Sequence, residues 1–455
     1  MPTVLWFRRD LRLTDHPALL SAVRDARDDG VVALFVVDPR LVATAGRPRL
    51  ARLVASLRAL DRSLDGRLVL RTGAPATVVP ALVQETGATA VHVTASTEPY
   101  GRRRDTAVAQ VLGVPLVRTG SPYAVAPGRL HTRQGTPYTV FTPFRRAWLE
   151  HGWSAPAAPV DPVTWAQVPG DDWRALPSGA EGDQGPWAED AGERAATTAW
   201  DRFVDGPLAD YATDRDRPDR AGTSRLSAAL KLSEVHPRTL LAGLVRAVAR
   251  DPELAPAAEV FTSQLAWREF HADVLWHRPE ATHRSLRPVV ADWASGPAAD
   301  AAFAAWTAGR TGYPLVDAGM RQLAATGWMH NRVRMVTASF LVKDLHLDWR
   351  RGAAHFMAHL VDGDVAQYQL NWQWVAGTGF DAAPYFRVLN PVTQSRRFDP
   401  DGEYVRRWVP ELRGVAAPAV HEPWTLGDRS PVDYPAPMVD HATERRATLE
   451  AYGRR

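Results

Sequence analysis

The segment TSRLS at residues 223–227 brings hydroxyls, an arginine and free backbone amides together just before a helical pattern over residues 228–232. Hydroxyl and N–H donors at the start of a helix can bind an anion such as a phosphate. The same residue types are typical of an ordinary helix cap, and His236 before Pro237 is consistent with another cap. The pattern therefore predicts either a phosphate site or a simple cap.

The segment FTSQLAWREFHADVLWHR at residues 261–278 has a mixed aromatic and polar face. Trp267 and His271 are four residues apart and share one face of a helix, next to Arg268. Such a face can stack on a base and clamp it. The alternative is an arginine whose stem packs over a structural tryptophan.

The segment GWMHNRVRM at residues 327–335 opens another helical pattern. Asn331, Arg334 and Met335 are spaced to share one face, which sets an amide and a cation beside an apolar side chain. This face suits a polar ligand that also has an apolar surface. A solvated basic stripe is the alternative.

Asp362 and Asp364 flank Gly363, so both carboxylates can turn toward one ligand. No EF-hand spacing follows and no His pair lies nearby, which weakens a metal site as the explanation. Accepting hydrogen bonds from a cofactor rich in hydroxyl or N–H groups fits equally well. An acidic turn on the surface is the third possibility.

The predicted helices and strands that carry these segments divide the chain into an N-terminal and a C-terminal part. Short apolar, β-branched runs at 4–7, 31–37, 67–71, 90–94 and 115–117 alternate with helical spacing, for example at 17–26 and 49–64. This alternation predicts an α/β domain over residues 1–130 with a parallel, Rossmann-like sheet. The turn after the first strand reads RRDLR rather than a glycine-rich fingerprint, so an NAD site is not expected.

The rest of the chain changes in character. Residues 154–193 are rich in Pro, Gly and Asp without periodicity, which predicts a linker within residues 131–195. Helical patterns dominate from 196 to 455, and 11 of the 17 Trp lie there. The sequence therefore predicts an all-helical second domain with an unusual number of indoles.

Composition excludes several classes of protein. The chain has 455 residues and no Cys, which excludes disulfides, thiolate metal sites and Cys nucleophiles. The net charge of +3 does not by itself indicate nucleic-acid binding, so any such surface must be a local arginine patch. No signal-peptide pattern and no apolar stretch of membrane-spanning length are present. We expect a cytoplasmic monomer that is not associated with a membrane and holds no metal.

Eight segments, in their order along the chain, resemble the DNA photolyase/cryptochrome family, and most closely the bacterial cyclobutane pyrimidine dimer photolyases. They are LWFRRDLRLTDHPAL, TSRLS, WREF, TGYPLVDAGMRQL, GWMHNRVRM, DGD, WQWVAGTG and VHEPW. The resemblance covers nearly the whole chain. It implies a light-driven enzyme that repairs these dimers by electron transfer from excited, reduced FAD held in the helical domain.

The resemblance also implies site residues. Those expected to bind FAD are Tyr211, Thr223, Ser224, Arg225, Leu226, Ser227, Phe261, Arg268, Arg334, Asp362, Gly363, Asp364 and Tyr368. Those expected to contact damaged DNA, with the lesion flipped into a pocket, are Arg215, Gln264, Trp267, Asn331, Arg332, Met335, Trp374 and Gln394. Trp293, Trp349 and Trp372 match the family's electron-transfer chain, while Gln264, Asn331 and Met335 are the expected catalytic contacts to the lesion.

Three positions depart from the family pattern. Gln264 replaces a Glu that contacts the lesion, Tyr368 replaces an Asn near the flavin, and Phe261 replaces a Trp in the same pocket. These departures motivate a cryptochrome-like photoreceptor as the alternative function. A (6-4) photolyase is less favoured, because Asn331 and Met335 stand where that branch has two His.

A second, light-harvesting chromophore is also implied by the resemblance. Gly101 replaces the Glu that clamps a folate in folate-type relatives, and EPYGR at residues 98–102 resembles the deazaflavin type. The sequence therefore favours a deazaflavin-type antenna over a folate, with an empty site as the alternative.

Overall fold

The computed structural model describes residues 1–160, 162–173, 176, 185–188, 190–287, 293–380, 387–429 and 433–453. The chain divides into two compact units. Unit 1 comprises Met1–Ala209, Ser224–Pro279 and Val361–Ala366. Unit 2 comprises Asp210–Thr223, Glu280–Leu360 and Gln367–Arg455. All of the site residues predicted from the sequence lie among the described residues.

The strands and α-helices have the following bounds in chain order. The strands are β1 Thr3–Phe7, β2 Val31–Val37, β3 Leu68–Thr72, β4 Val91–Val93 and β5 Leu116–Arg118. The helices are α1 Pro17–Ala26, α2 Pro39–Thr44, α3 Arg47–Ser63, α4 Pro75–Thr86, α5 Pro99–Val111, α6 Phe141–His151, α7 Glu193–Asp205, α8 Tyr211–Asp214, α9 Ser227–Leu232, α10 Pro237–Arg250, α11 Ala255–His277, α12 Pro297–Thr307, α13 Pro314–Thr326, α14 Asn331–Lys343, α15 Trp349–His359, α16 Val365–Ala376, α17 Pro391–Phe398, α18 Glu403–Trp408 and α19 His441–Gly453.

Unit 1 contains a five-stranded parallel sheet in the order β3-β2-β1-β4-β5. Alternate side chains of β1 enter different cores: Leu5 and Phe7 pack with α1 and α3, and Val4 and Trp6 pack with α4 and α5. This follows from the two-residue repeat of a strand, and it explains why the strands are apolar throughout. The predicted α/β fold with a Rossmann-like parallel sheet is confirmed.

Residues 124–128, which follow β5, are bound to α11 through two of its buried carboxylates. Glu269 accepts hydrogen bonds from the backbone N–H of Ala124 at 2.6 Å and of Val125 at 2.9 Å, and Asp273 accepts one from Gly128 at 2.7 Å. The range 131–195, which the sequence predicts to be a linker, contains the helix α6. The predicted domain boundaries themselves stay a prediction.

Unit 2 is helical in its described part, as the sequence predicts for the C-terminal half. Its core is formed by apolar side chains of α13, α14, α15 and α16, with Phe340, Leu341 and Trp372 among the buried members. Gly352 of α15 allows close packing, because a Cβ there would lie 2.3 Å from Cη2 of Trp372 and 2.4 Å from Cδ2 of Leu341. No helix in the described ranges is both long and apolar enough to cross a membrane.

Candidate cofactor and DNA-binding site

The TSRLS segment ends where α9 begins, and its side chains do not cap that helix. The N-cap residue is Leu226, which makes no side-chain capping bond. Arg225 has a φ of 53°, a conformation that costs a non-glycine residue free energy. Within the described chain, the hydroxyls of Thr223, Ser224 and Ser227 make no hydrogen bond to protein groups. The simple cap is therefore not the explanation here, and the hydroxyls fit an anionic ligand.

His236 behaves differently. Its Nδ1 accepts a hydrogen bond from the backbone N–H of Arg238 at 3.2 Å, at the start of α10. The ordinary helix cap is the correct interpretation for this residue.

The Asp362-Gly363-Asp364 turn lies inside unit 1, with both carboxylates only 3% exposed. Arg9 donates from Nη2 to Oδ2 of Asp364 at 2.6 Å, and Nζ of Lys231 lies 3.9 Å from the same oxygen. An acidic surface turn is therefore the wrong interpretation. A buried carboxylate needs such partners, because an unpaired one would be strongly destabilising.

Glu98 joins the same charge cluster. Arg9 donates to it, and Nζ of Lys231 lies 3.6 Å from Oε1 of Glu98. Burial alone would raise the pKa of Glu98, but the positive charges of Arg9 and Lys231 lower it. Burial, reinforced by the charge of Arg9, lowers the pKa of Lys231. Lys231 is one of only two lysines in the chain. Arg9 lies in the LWFRRDLRL segment, but its type and spacing do not predict a role in this site.

The predicted residues of α11 have distinct environments within unit 1. Phe261 is buried against Trp200 and Phe203, with ring centroids 5.3 and 5.2 Å away. Gln264 is half-buried, and its Nε2 lies 3.4 Å from the carbonyl oxygen of Val260.

Arg268 makes hydrogen bonds to two backbone carbonyls, and its guanidinium lies 4.4 Å from the ring centroid of Tyr123. It donates to the carbonyls of Pro122 at 3.2 Å and Leu230 at 3.0 Å. Trp267 stacks on Phe141, with ring centroids 3.7 Å apart and planes 10° from parallel. The aromatic partner of Trp267 in this stack is therefore Phe141, a contact that the sequence does not predict.

In unit 2, the two arginines of α14 make specific contacts. Arg332 forms a 2.9 Å ion pair with Asp216 and lies over the ring of Phe398 at 4.4 Å. Arg334 donates to the carbonyl of Met329 at 2.6 Å and also to the hydroxyl of Tyr368. A freely solvated basic stripe is therefore the wrong interpretation.

The other predicted residues of α14 are Asn331, its exposed first residue, and Met335, which is half-buried one turn later. Asn331 is exposed, and its Nδ2 lies 4.0 Å from Sδ of Met335. The helix is capped by His330, which accepts from the N–H of Arg332 at 3.2 Å. Burial lowers the pKa of His330 to about 4, so the ring stays neutral and able to accept at pH 7.

Two further predicted residues lie on or just after the short helix α8, and a third lies on α17. Tyr211 is buried, which raises the pKa of its hydroxyl, and the guanidinium of Arg215 lies over its ring at 5.9 Å. Gln394 is half-buried on α17.

The predicted electron-transfer tryptophans belong to the core of unit 2. Trp349 and Trp372 are buried, and Trp293 and Trp374 pack against the same core while half-buried. Trp349 is one helical turn before Gly352, the residue against which Trp372 packs. Nothing in the sequence singles out Trp306, yet its ring centroid lies 6.4 Å from that of Trp372.

Among the described residues, no group of three or more His, Asp or Glu side chains is arranged to hold a metal ion. The carboxylate of Asp364 pairs with Arg9 and lies near the ammonium group of Lys231.

The chain matches two family models: "DNA photolyase" over residues 3–162 and "FAD binding domain of DNA photolyase" over residues 261–454. It is 46% identical to a deoxyribodipyrimidine photo-lyase of Streptomyces griseus, with 98% of each chain covered. It is 39% identical to the enzyme of that name from Escherichia coli, covering 99% of this chain and 98% of the relative.

Solved structures agree with these matches. A class III photolyase from Agrobacterium tumefaciens superposes with a TM-score of 0.89 at 37% identity, covering 100% of this chain and 97% of that one. A cryptochrome from Synechocystis superposes with a TM-score of 0.87 at 27% identity, covering 99% of each chain. The chain belongs to the DNA photolyase family.

Proposed function

We propose that the protein is a deoxyribodipyrimidine photo-lyase, which uses light and reduced FAD to split cyclobutane pyrimidine dimers in DNA. The observation that carries this proposal is the full-length match to several relatives of that name, at 46% identity in the Streptomyces griseus case. Family membership supports FAD and damaged DNA as ligands. Flipping of the dimer into a pocket is part of the proposal.

The donor set suits FAD. The unpartnered hydroxyls of Thr223, Ser224 and Ser227, with Arg225 beside them, offer donors for a diphosphate, and Asp362 and Asp364 offer acceptors for ribose or ring N–H groups. We assign the remaining flavin contacts to Tyr211, Leu226, Phe261, Arg268, Arg334, Gly363 and Tyr368. When bound and reduced, FAD supplies the electron that opens the dimer under light.

In this proposal the side chains bind the lesion, bind the DNA backbone and transfer electrons. Trp267 and Trp374 stack on the extruded bases, and Gln264, Asn331 and Met335 contact the lesion. Arg215, Arg332 and Gln394 contact the DNA backbone, which makes binding sensitive to salt. Trp293, Trp349 and Trp372 form a chain of indoles for electron transfer, supported by the packing of Trp372 beside the turn that follows Trp349.

We further propose a second chromophore of the deazaflavin type rather than a folate. Gly101 supports this choice, because a Cβ at that position would lie 2.9 Å from Cβ of Ser96 and a Glu side chain would need a shift there. The solved structure of a photolyase from Sulfolobus tokodaii, which is 27% identical to this chain, contains two FAD molecules. Cytoplasmic location and a monomeric state stay predictions from the sequence.

A photoreceptor without repair activity is the second candidate, favoured by Gln264 and Tyr368 and by the likeness to the Synechocystis cryptochrome. The test uses purified protein with its FAD reduced, mixed with DNA that contains cyclobutane dimers. Repair predicts loss of dimers under blue light and none in the dark. Intact dimers after illumination of the loaded, reduced protein would contradict the proposed function and support the photoreceptor.

A further inference from the structure

Trp267 is held in place by a ring from another helix of unit 1. Phe141, the first residue of α6, lies parallel to the indole at a centroid distance of 3.7 Å and an angle of 10°. Phe270 meets the edge of the indole at 5.8 Å, and His271 lies 5.6 Å away. Phe141 thus covers one face of Trp267, so a base can stack only on the other face.

A second contact lies one helical turn away on both helices. Arg145 of α6 donates from Nε to Oγ of Ser263 at 2.8 Å and from Nη2 to Oε1 of Glu259 at 3.0 Å. Phe141 and Arg145 are four residues apart, as are Ser263 and Trp267, so each pair shares one face of its helix. The ring stack and the guanidinium contacts therefore join the same two faces.

The helices are not closely packed beside this contact. A cavity of about 530 Å³ lies between α6 and α11, lined by Phe141, Thr142, Arg145, Arg146 and Ser263 among others. The stack and the Arg145 contacts join α6 to α11 at the edge of this cavity, and Phe144 packs on Phe270 on the buried side of α6. Loss of the stack uncovers one face of the indole, although Phe270 and His271 still lie beside it.

We propose that Phe141 and Arg145 are positioning residues for Trp267, which hold its indole plane where a damaged base stacks on it. The inference rests on the proposed function, since it assumes that Trp267 contacts the dimer. It assigns a role in lesion recognition to α6, which lies in the range that the sequence predicts to be a linker. Phe141 and Arg145 act through Trp267 and do not themselves touch DNA.

The test compares dark binding of an oligonucleotide with one cyclobutane thymine dimer and the same oligonucleotide without it. Phe141→Leu should weaken binding to the dimer-containing oligonucleotide about threefold to tenfold, as expected for loss of one aromatic stack. Its affinity for the undamaged oligonucleotide should stay unchanged. Phe141→Tyr keeps the stack and should bind within about twofold of the wild type. Leu149→Ala, which removes apolar surface of α6 away from the stack, should also bind as the wild type does.

Arg145→Met and Arg146→Met form a matched pair. Both remove one positive charge from α6, but Arg146 is exposed and makes no ion pair within the described chain. Both should weaken binding to DNA of either kind equally through charge, and only Arg145→Met should lower the ratio of damaged to undamaged binding. Equal ratios for the two variants would overturn the role of Arg145.

A double mutant separates positioning from general destabilisation. In a Trp267→Ala background, Phe141→Leu should cost no further affinity for the dimer, because the side chain it positions is gone. An equal loss in both backgrounds would overturn the proposal, as would wild-type affinity of Phe141→Leu. A different result would contradict the proposed function itself: the wild-type protein would then bind damaged and undamaged DNA equally.

Discussion

Arg9 Nη2 and Asp364 Oδ2 are 2.6 Å apart, although 355 positions separate the two residues in the chain. The contact ties the turn after β1 to the buried Asp-Gly-Asp turn. A buried carboxylate that is proposed to face a cofactor thus has its charge balanced by the sheet's own loop.

Replacing Arg9 by Met should therefore weaken FAD binding. The substitution removes the 2.6 Å contact from Arg9 to Asp364, so the buried carboxylate loses a charged partner. We expect the dissociation constant for FAD to rise on the order of tenfold, the scale of one lost charge-assisted hydrogen bond. Arg40→Met, a change at an exposed arginine of the same unit, is the control. Equal FAD affinity in both variants would argue against this role of Arg9.

Gly352→Ala should destabilise the core of unit 2. The added methyl group would lie 2.3 Å from Trp372 and 2.4 Å from Leu341, so both must shift. Overpacking of this kind costs about 1–3 kcal/mol, which denaturant unfolding can measure. Gly453→Ala, where a Cβ meets no atom within 4 Å, should change the free energy of unfolding little. Equal stability of the two variants would show that the core absorbs the methyl group without strain.

Glu269 should make stability depend on pH. Burial raises its pKa to about 7, although two backbone N–H groups and the indole N–H of Trp148 favour the charged form. Between the unfolded-state value near 4.5 and pH 7, the folded protein binds more protons than the unfolded chain. Stability should therefore fall as the pH rises through this range, by up to about 1.4 kcal/mol per pH unit from this group.

The variant Glu269→Gln tests this dependence, with exposed Glu253→Gln as the control. The difference in unfolding free energy between wild type and Glu269→Gln should decrease from pH 5 to pH 7. The Glu253→Gln difference should stay constant. A pH-independent difference for Glu269→Gln would mean that the carboxyl group titrates near its ordinary value in the folded protein.

Gln264→Glu should raise the repair yield. A carboxylate at this position restores the residue typical of bacterial dimer photolyases, and it offers a charged acceptor to the N–H groups of the dimer. The yield per absorbed photon, measured at equal FAD content, should exceed that of the wild type. An unchanged or lower yield would mean that Gln264 is not what limits repair.

The sequence predicted the parallel sheet well because its strands carry uninterrupted apolar runs that differ from the helical periods around them. It also singles out the TSRLS and Asp-Gly-Asp segments, since these motifs are local, and their role as a binding site stays a prediction. It could not predict the pairing of Arg9 with Asp364 or the stacking of Phe141 on Trp267. Such contacts join segments far apart in the chain, and spacing along one element carries no information about them. Phe141 also lies in the range predicted to be a linker, where no packing contact is expected.

Whether the protein repairs cyclobutane pyrimidine dimers is tested most directly with defined lesions and light. One oligonucleotide carries a single cyclobutane thymine dimer and a second carries a single (6-4) photoproduct, each incubated with the reduced, FAD-containing protein under blue light and in darkness. We expect that the cyclobutane dimer alone is restored, and only in the light. Two intact lesions after illumination, or restoration of the (6-4) photoproduct instead, would contradict it.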